Sequence, residues 1–252
     1  MSPAVTIFTD SDDLAAHAAD RITRAAQKAI RARGRAMLAL AGGATPEKTY
    51  SMLAQPGRRS RVDWAHTYLF FGDERFVRLD DPSSNFAMVH RTLLAPVSVP
   101  AGHAFPVPTH LGTAAAAAAE YAATLAKAFG IGDSRDPPPF DLILLGLGED
   151  GHTASLFPGA ASLRVTDRWV VASPSGTLPP PAERITLTFP VLNAAREILF
   201  LVSGQNKAEA LHDVLEGQPS HEERPAGAVC PVDGTLTWFV DEAAASRLTR
   251  SG

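Results

Sequence analysis

The sequence predicts an α/β protein of the Rossmann-like, doubly wound type, in which a mostly parallel sheet carries helices on both faces. Short, nearly continuous apolar runs alternate with helical patterns along the chain, as expected for buried parallel strands joined by helices. Four of these runs end in polar, glycine-bearing loops that precede a helical segment. Because ligands bind at the carboxyl ends of the strands in such sheets, we expect these loops to form one site.

The first predicted elements are a short strand and a long helix. Residues 5–9 form an apolar run, and Ser11 follows as a predicted N-cap, with two aspartates in the first helical turn. We expect the helix to continue to Arg33 and to end at Gly34, because glycine is favoured just beyond a helix.

Four strand-loop-helix units follow. The first is the run at 36–41, which leads into Gly-Gly-Ala-Thr-Pro, where Pro46 is predicted at the first helical position because its missing N–H would be unpaired there. The other three strands are predicted at residues 68–71, 142–145 and 198–202, with loops that begin at residues 72, 146 and 203. The alanine-rich segment 114–129 predicts a helix from propensity alone.

The domain organisation is predicted to be simple. Proline runs at 137–139 and 179–181 predict stiff connectors, and neither separates blocks of clearly different composition. We expect one domain across residues 1–252, with a small subregion around residues 155–195.

Composition narrows the possible partners and the compartment. The formal net charge of −4 argues against nucleic acid as a partner, so any anionic ligand must be held by a local cluster of donors. No apolar run approaches the roughly 18 residues of a membrane span, and the N-terminal segment does not resemble a signal peptide. The single cysteine, Cys230, cannot form an internal disulfide. We therefore expect a cytoplasmic protein without membrane partners, and we favour a monomer.

The loop that begins at residue 42 predicts a phosphate cradle. Gly42 and Gly43 follow a strand and precede a helix, so backbone N–H groups can approach an anion at the positive end of that helix. The loop lacks the Gly-Lys-Ser/Thr ending of a Walker motif. Gly42, Gly43, Ala44 and Thr45 are the candidate ligands here, and a simple tight turn is the alternative reading.

The segment Gly-Leu-Gly-Glu-Asp-Gly at 146–151 matches the dinucleotide pattern G-x-G-x-x-G after a strand. Glu149 and Asp150 would then lie beside a pyrophosphate at the start of the helix, where charge repulsion opposes binding. We therefore expect no nicotinamide cofactor.

His152 is the candidate general base. It follows this glycine-rich turn at the end of a strand, and Asp150 lies two residues before it. An imidazole has an ordinary pKa of about 6.5 and can take a proton from water near neutral pH, while a neighbouring carboxylate can orient the ring. The alternative is a histidine that caps the next helix.

Charged residues at other loops are expected to face the same crevice. Arg75 can pair with a phosphate or a developing oxyanion, and Asp73 can orient water or sugar hydroxyl groups, unless the two form an internal ion pair. Arg184, at the start of the strand-like run 185–188, and Lys207 are further candidate phosphate ligands, with solvated surface as the alternative. No close metal-ligand pair such as H-x-x-x-H occurs, so no metal is expected.

Several of these segments together resemble the 6-phosphogluconolactonase family. The resemblance is carried by Ala-Gly-Gly-Ala-Thr-Pro at 41–46, Gly-Asp-Glu-Arg at 72–75, Ser84-Asn85, Gly-Leu-Gly-Glu-Asp-Gly-His-Thr-Ala-Ser-Leu-Phe-Pro at 146–158 and Glu-Arg-Ile-Thr-Leu-Thr at 183–188. The segments appear in the family's order and span nearly the whole chain. The part that begins at Gly151-His152 is the most specific.

The resemblance implies a Rossmann-like fold shared with glucosamine-6-phosphate deaminases, no metal or organic cofactor, and a place in the oxidative pentose phosphate pathway. It also implies that His152 is the catalytic base, which would activate water to attack the lactone carbonyl of the sugar phosphate. One departure is Ala44, where the family often has serine, so one hydroxyl donor is absent from the phosphate turn.

Two alternative functions remain open. A hexosamine-6-phosphate deaminase or isomerase shares the glycine turn and the Asp-Gly-His segment, but it would be expected to carry a Phe-Asn-Glu-Pro type segment where this chain has Ser155 to Pro158. A non-catalytic sugar-phosphate sensor would keep the phosphate cradle and bind without turnover. Direct attack by Ser155 is not expected, because no Gly-x-Ser-x-Gly elbow is present.

Overall fold

The described part of the chain, residues 4–132, 134–176, 181–217 and 220–249 of a computed structural model, is built from alternating strands and helices. Its strands are β1 (Ala4–Phe8), β2 (Ala36–Leu40), β3 (Thr67–Phe71), β4 (Asp73–Arg75), β5 (Leu142–Leu145), β6 (Val170–Ser173), β7 (Arg184–Leu187), β8 (Glu197–Val202) and β9 (Thr235–Asp241). Its α-helices are α1 (Ser11–Arg33), α2 (Ala44–Leu53), α3 (Pro56–Arg59), α4 (Asn85–Val89), α5 (Ala114–Phe129), α6 (Phe189–Asn193) and α7 (Ala208–Leu215).

The central sheet has six strands in the order β1-β9-β8-β5-β2-β3, and every neighbouring pair is parallel. From β2 the chain extends the sheet towards β3, whereas from β5 it extends the sheet the other way through β8 and β9. The strand order therefore reverses between β2 and β5, which is where a doubly wound sheet opens a crevice at its carboxyl edge. The predicted α/β class with a mostly parallel sheet is confirmed.

A second, antiparallel sheet of three strands, β4-β7-β6, lies beside the first. The prediction that residues 72–75 form only a loop is wrong, because Asp73–Arg75 pairs with β7 as a strand. The middle residue, Glu74, is fully buried, so this polar triplet is held by pairing and not by an apolar pattern. β6 and β7 lie inside the small subregion expected around residues 155–195, whereas β4 lies outside it.

Helix α1 begins and ends with separate capping devices. Its N-cap is Asp10 and not the predicted Ser11, because the Asp10 carboxylate accepts hydrogen bonds from the backbone N–H groups of Asp12 and Asp13 at 2.8 and 2.9 Å. The predicted end is confirmed, since Gly34 follows Arg33 at a φ of +75°.

Helix α2 begins earlier than the sequence predicts. Gly43 is its N-cap at a φ of +103°, and the Gly43 carbonyl already accepts the N–H of Glu47 at 3.0 Å. Pro46 is therefore the third helical residue and not the first. It is tolerated there because N–H groups of the first turn have no partner inside the helix.

The remaining predictions for the fold concern α5 and the proline connectors. The predicted helix at 114–129 is confirmed as α5, with Thr113 as its N-cap and Gly130 in the left-handed conformation at its end. The proline run at 137–139 precedes β5. Of the run at 179–181, residues 179 and 180 lie outside the described residues.

In the part of the chain that is described, no helix is long and apolar enough to cross a membrane.

Candidate active site

A cleft with a volume of about 490 Å³ opens at the carboxyl ends of β2, β3, β5 and β8. The parallel sheet brings the loops of these strands together, although they are far apart in the sequence. Nine of the predicted site residues line the cleft: Gly42, Gly43, Ala44, Thr45, Asp73, Arg75, His152, Arg184 and Lys207. The tenth, Asp150, contacts His152.

Two buried tyrosines fix the strand ends from which these loops leave the sheet. The Tyr50 hydroxyl bonds to both the N–H and the carbonyl of Ala41, each at 2.9 Å, at the end of β2. The Tyr121 hydroxyl bonds in the same way to the N–H and carbonyl of Phe71, at 2.8 and 3.2 Å, at the end of β3. Burial raises the pKa of both tyrosines, so each hydroxyl stays neutral and can donate and accept at once.

His152 and Asp150 form a directly bonded pair at the loop after β5. The Nδ1 atom of His152 lies 2.5 Å from Oδ1 of Asp150, and the same oxygen accepts the backbone N–H of His152 at 3.1 Å. Burial raises the pKa of Asp150, but the hydrogen bonds and the charge of His152 outweigh it and hold that pKa below its ordinary value. The carboxylate therefore stays ionised and orients the ring, which leaves Nε2 for a water molecule.

Glycine is required at position 148 for this pair to form. A Cβ on Gly148 would lie 2.0 Å from Nδ1 of His152 and 2.5 Å from Oδ1 of Asp150, closer than any real Cβ contact. The backbone of the turn is closed by a hydrogen bond from the Gly148 N–H to the His152 carbonyl at 2.8 Å. Gly148 thus makes room for the His152–Asp150 pair.

Asp73 is held by two residues that the sequence did not assign to the site. The Ser155 hydroxyl donates to one carboxylate oxygen of Asp73 at 2.6 Å, and the Asn85 side-chain amide donates to the other at 3.2 Å and to the Asp73 carbonyl at 2.9 Å. Both partners are buried and both line the cleft. Ser155 thus orients the Asp73 carboxylate, and the expectation that it is not a nucleophile stays a prediction from the sequence.

Asn85 also explains the first glycine of the turn that precedes α2. A Cβ on Gly42 would lie 1.9 Å from the side-chain oxygen of Asn85, so only glycine leaves room for this amide. The one sequence signal for Asn85 was its place in the Ser84-Asn85 segment of the family resemblance. The Asn85 side chain thus packs against Gly42 and donates hydrogen bonds to Asp73.

The buried Glu74 side chain holds β4 against the start of α4. Its carboxylate accepts the backbone N–H groups of Arg75, Asn85 and Phe86 at 2.7 to 2.8 Å, and the Ser84 hydroxyl at 3.0 Å. Burial raises the pKa of Glu74 above its ordinary value, against the lowering effect of the backbone donors. The carboxylate joins β4 to the start of α4 and does not line the cleft.

Arg75 and Arg184 face each other on neighbouring strands. They are directly paired residues of β4 and β7, so their side chains leave the same face of the small sheet, and both line the cleft. The Arg75 guanidinium donates to the Ser83 carbonyl. Burial, together with the positive charge of Arg75, lowers the pKa of Arg184 below its ordinary value. A dianionic group between the two guanidinium groups would offset their repulsion.

Lys207 lines the cleft at the end of β8, on the other side of β5 from β2 and β3. It ends the 3₁₀ turn Gln205–Lys207 after β8, directly before α7. Its neighbour Asn206 donates to the Glu149 carboxylate at 2.7 Å, which links this turn to the loop that carries His152. The exposed Glu149 carboxylate thus accepts a hydrogen bond from another loop of the same chain.

Metal-binding potential is limited in the described residues. Within residues 4–132, 134–176, 181–217 and 220–249, no group of three or more His, Cys, Asp or Glu side chains is arranged to hold a metal ion. The absence of a metal and of a cofactor remains a prediction from the sequence.

The parallel sheet, the glycine turn at a helix start and the His152–Asp150 pair define an α/β protein whose cleft combines a helix start suited to an anion with an imidazole bonded to a carboxylate. The family model of glucosamine-6-phosphate isomerases/6-phosphogluconolactonase matches residues 9–238. The chain therefore belongs to this family, as the sequence resemblance indicated.

Relatives and solved structures agree with this assignment. The 6-phosphogluconolactonase of Synechocystis sp. is 37% identical over 248 residues, which cover 98% of this chain and 99% of that protein. The structure of 6-phosphogluconolactonase from Trypanosoma cruzi superposes with a TM-score of 0.85 at 29% identity, covering 99% of this chain and 98% of that one. A monomeric glucosamine-6-phosphate deaminase superposes with a TM-score of 0.77 at 25% identity, covering 97% and 99%.

Proposed function

We propose that this chain is a 6-phosphogluconolactonase, which hydrolyses 6-phospho-D-glucono-1,5-lactone to 6-phospho-D-gluconate in the oxidative pentose phosphate pathway. The observation that carries the proposal is one cleft that contains both a His–Asp pair and a glycine turn at the start of a helix. Relatives named 6-phosphogluconolactonase match nearly the full length of the chain and support the same activity.

The phosphate binds at the start of α2. The amides of Ala44 and Thr45 belong to the first helical turn, where N–H groups have no partner inside the helix and the helix dipole favours an anion. Lys207 and the Arg75–Arg184 pair bring positive charge to the same cleft. Phosphate binding at this end holds the lactone ring towards His152.

The chemical step begins at Nε2 of His152. Because Asp150 binds Nδ1, Nε2 is the nitrogen that accepts a proton from water as the water oxygen attacks C1 of the lactone. The resulting tetrahedral oxyanion is stabilised by nearby backbone N–H groups or by a cationic side chain. The bond between C1 and the ring oxygen then breaks, and that oxygen takes the proton from the imidazolium. The product is the open-chain acid, and His152 returns to its neutral form.

The test is lactonase activity on freshly generated 6-phosphoglucono-δ-lactone, coupled to 6-phosphogluconate dehydrogenase and corrected for spontaneous hydrolysis. We expect acceleration by the wild-type chain and a loss of about 10²- to 10⁴-fold in turnover in His152→Ala. His66→Ala is the matched control, because this exposed histidine also pairs with an aspartate but lies outside the cleft. Near wild-type turnover in His152→Ala would refute the role of the base.

A deaminase is the second candidate, and the structural similarity to a glucosamine-6-phosphate deaminase favours testing it. Glucosamine 6-phosphate is assayed in parallel for ammonia release. Ammonia release would favour the deaminase, and binding of both sugar phosphates without turnover would favour a sensor. Ser155 donates a hydrogen bond to the Asp73 carboxylate. It belongs to the segment 155–158, which differs from the Phe-Asn-Glu-Pro type expected of a deaminase.

The remaining predictions are kept as part of the proposal. A cytoplasmic location is supported by the single cysteine, and the lack of nucleic-acid partners is supported by the net charge of −4, while the monomer stays a prediction. One domain across residues 1–252 is supported by the core, since buried side chains of the small sheet such as Ile185 and Leu187 join the same apolar cluster as the main sheet.

A further inference from the structure

We propose that Arg224 is a positioning residue for the Asp150–His152 pair, a role that rests on the proposed lactonase function. Arg224 lies 74 residues beyond Asp150 in the sequence, outside every segment of the family resemblance and outside the lining of the cleft. Its effect on the reaction would therefore pass through the loop that holds the base.

The segment around Arg224 binds both carbonyl groups of the turn between the two members of the pair. The Arg224 guanidinium donates from Nη1 to the Asp150 carbonyl at 3.1 Å. The backbone N–H of Ala226 donates to the Gly151 carbonyl at 3.0 Å. The turn is thereby held by a segment whose Arg224 does not line the cleft.

The side chain of Arg224 also packs directly on this turn. Gly151 has a φ of +84°, and a Cβ there would lie 2.3 Å from Cδ of Arg224 and 3.1 Å from its Cα. The backbone of Gly151 and the stem of Arg224 are therefore in close contact. Glycine at 151 serves this contact as well as the left-handed backbone.

Asp213 fixes the guanidinium in turn. Oδ2 of Asp213 accepts Nε of Arg224 at 3.0 Å and Nη2 at 2.7 Å. The hydrogen bond from Arg224 lowers the pKa of Asp213, so this carboxylate remains charged at neutral pH. Asp213 lies on α7, the helix that begins directly after Lys207. The arginine thus ties the base loop to the helix that follows a phosphate ligand.

The expected consequence concerns turnover and not substrate binding. Without the guanidinium, the Asp150 carbonyl loses its donor, and the turn that places the carboxylate relative to Nδ1 of His152 is held less firmly. A misplacement of about 1 Å at a catalytic group can lower the rate by about 10²-fold. The phosphate ligands do not contact Arg224, so KM has no direct reason to change.

The first test compares Arg224→Met with Arg164→Met. Methionine keeps much of the aliphatic stem and removes all three hydrogen bonds. We expect kcat to fall about 10-fold or more, with KM within about 2-fold of wild type. Arg164 is the control because it is 63% exposed and pairs with Glu222 on the same face, without contacting the turn. A wild-type kcat in Arg224→Met, or a change confined to KM, would overturn the proposal.

A double-mutant cycle with Asp150→Asn separates positioning from general loss of stability. If Arg224 acts through Asp150, Arg224→Met should lower kcat by less than about 2-fold in the Asp150→Asn background, since coupled residues are not additive. Independent, multiplying losses would contradict the role. If Arg224→Met folds poorly, Asp213→Asn replaces it, because a loosened guanidinium should lower kcat in the same direction. Unchanged kcat in folded Asp213→Asn would then count against the proposal.

A readout that needs no substrate keeps this inference distinct from the proposed function. The Nδ1 proton of His152, assigned with His152→Gln, is followed by ¹⁵N-¹H NMR in the wild type and in Arg224→Met. We expect a hydrogen-bonded signal in the wild type that shifts or exchanges away in the variant, and an unchanged signal would refute positioning. If the wild type fails to hydrolyse the lactone, the proposed function falls, and this spectrum still decides the role of Arg224.

Discussion

Gly148 and His152 are fitted to each other so closely that a methyl group at position 148 would lie 2.0 Å from Nδ1 of the histidine. Gly148→Ala should therefore displace the ring from Asp150 and lower kcat by at least about 10-fold. Gly112→Ala is the control, because its Cβ would have no atom within 4 Å and its φ is not in the left-handed region. Equal kcat in the two variants would show that the close fit does not matter for turnover.

Removing one arginine of the facing pair should weaken recognition of the phosphate. Arg184→Met is expected to lower kcat/KM on 6-phosphogluconolactone by about 10- to 100-fold, since a charge-assisted hydrogen bond contributes about 1.5–3 kcal/mol. Unphosphorylated glucono-δ-lactone provides the control in the same enzyme, because it lacks the phosphate that Arg184 is proposed to bind. An equal loss on both lactones would assign Arg184 to the reacting carbonyl or to stability.

Ala44 offers a gain-of-binding test. Serine at this first residue of α2 would add a hydroxyl donor to the turn that is proposed to bind phosphate. Ala44→Ser should lower KM for the phosphorylated lactone by about 2- to 10-fold, the range of one net hydrogen bond of about 0.5–1.5 kcal/mol. Ala44→Val adds bulk without a donor and should not lower KM. An unchanged KM in the serine variant would indicate that phosphate does not bind at this turn.

The depressed pKa of Asp150 also predicts a pH dependence of stability. A carboxyl group with a lower pKa in the folded than in the unfolded chain stabilises the fold above its ordinary value of 3.8, and this stabilisation is lost as the pH falls through the folded-state pKa. Asp150→Asn should therefore be less stable than wild type at pH 7, and the difference should shrink near pH 3. Urea unfolding at both pH values measures it, and a constant difference would contradict the shift.

The general plan of the site follows from the sequence because it depends on local patterns. Apolar runs of strand length with glycine-bearing ends predicted the loops that line the cleft, and parallel strands bring such ends to one edge of a sheet. The positions of His152, Asp73 and the turn at Gly42 and Gly43 needed no more than this rule.

Tertiary structure alone decided the contacts that hold these residues. The triplet Asp73–Arg75 has no apolar pattern and becomes a strand only by pairing with β7, more than a hundred residues later. Asn85 and Ser155 reach Asp73 from separate elements, and Asn85 also accounts for the glycine at 42.

By itself, the sequence determined the fold class and the family, since these depend on periodicity and on short motifs, and it predicted His152 as the base. Only the folded chain decided which partners orient the Asp73 carboxylate, because one of them, Ser155, lies 82 residues away in the sequence. Arg224 illustrates the limit, since its hydrogen bond to Asp150 arises from packing between distant loops and leaves no local pattern in the sequence.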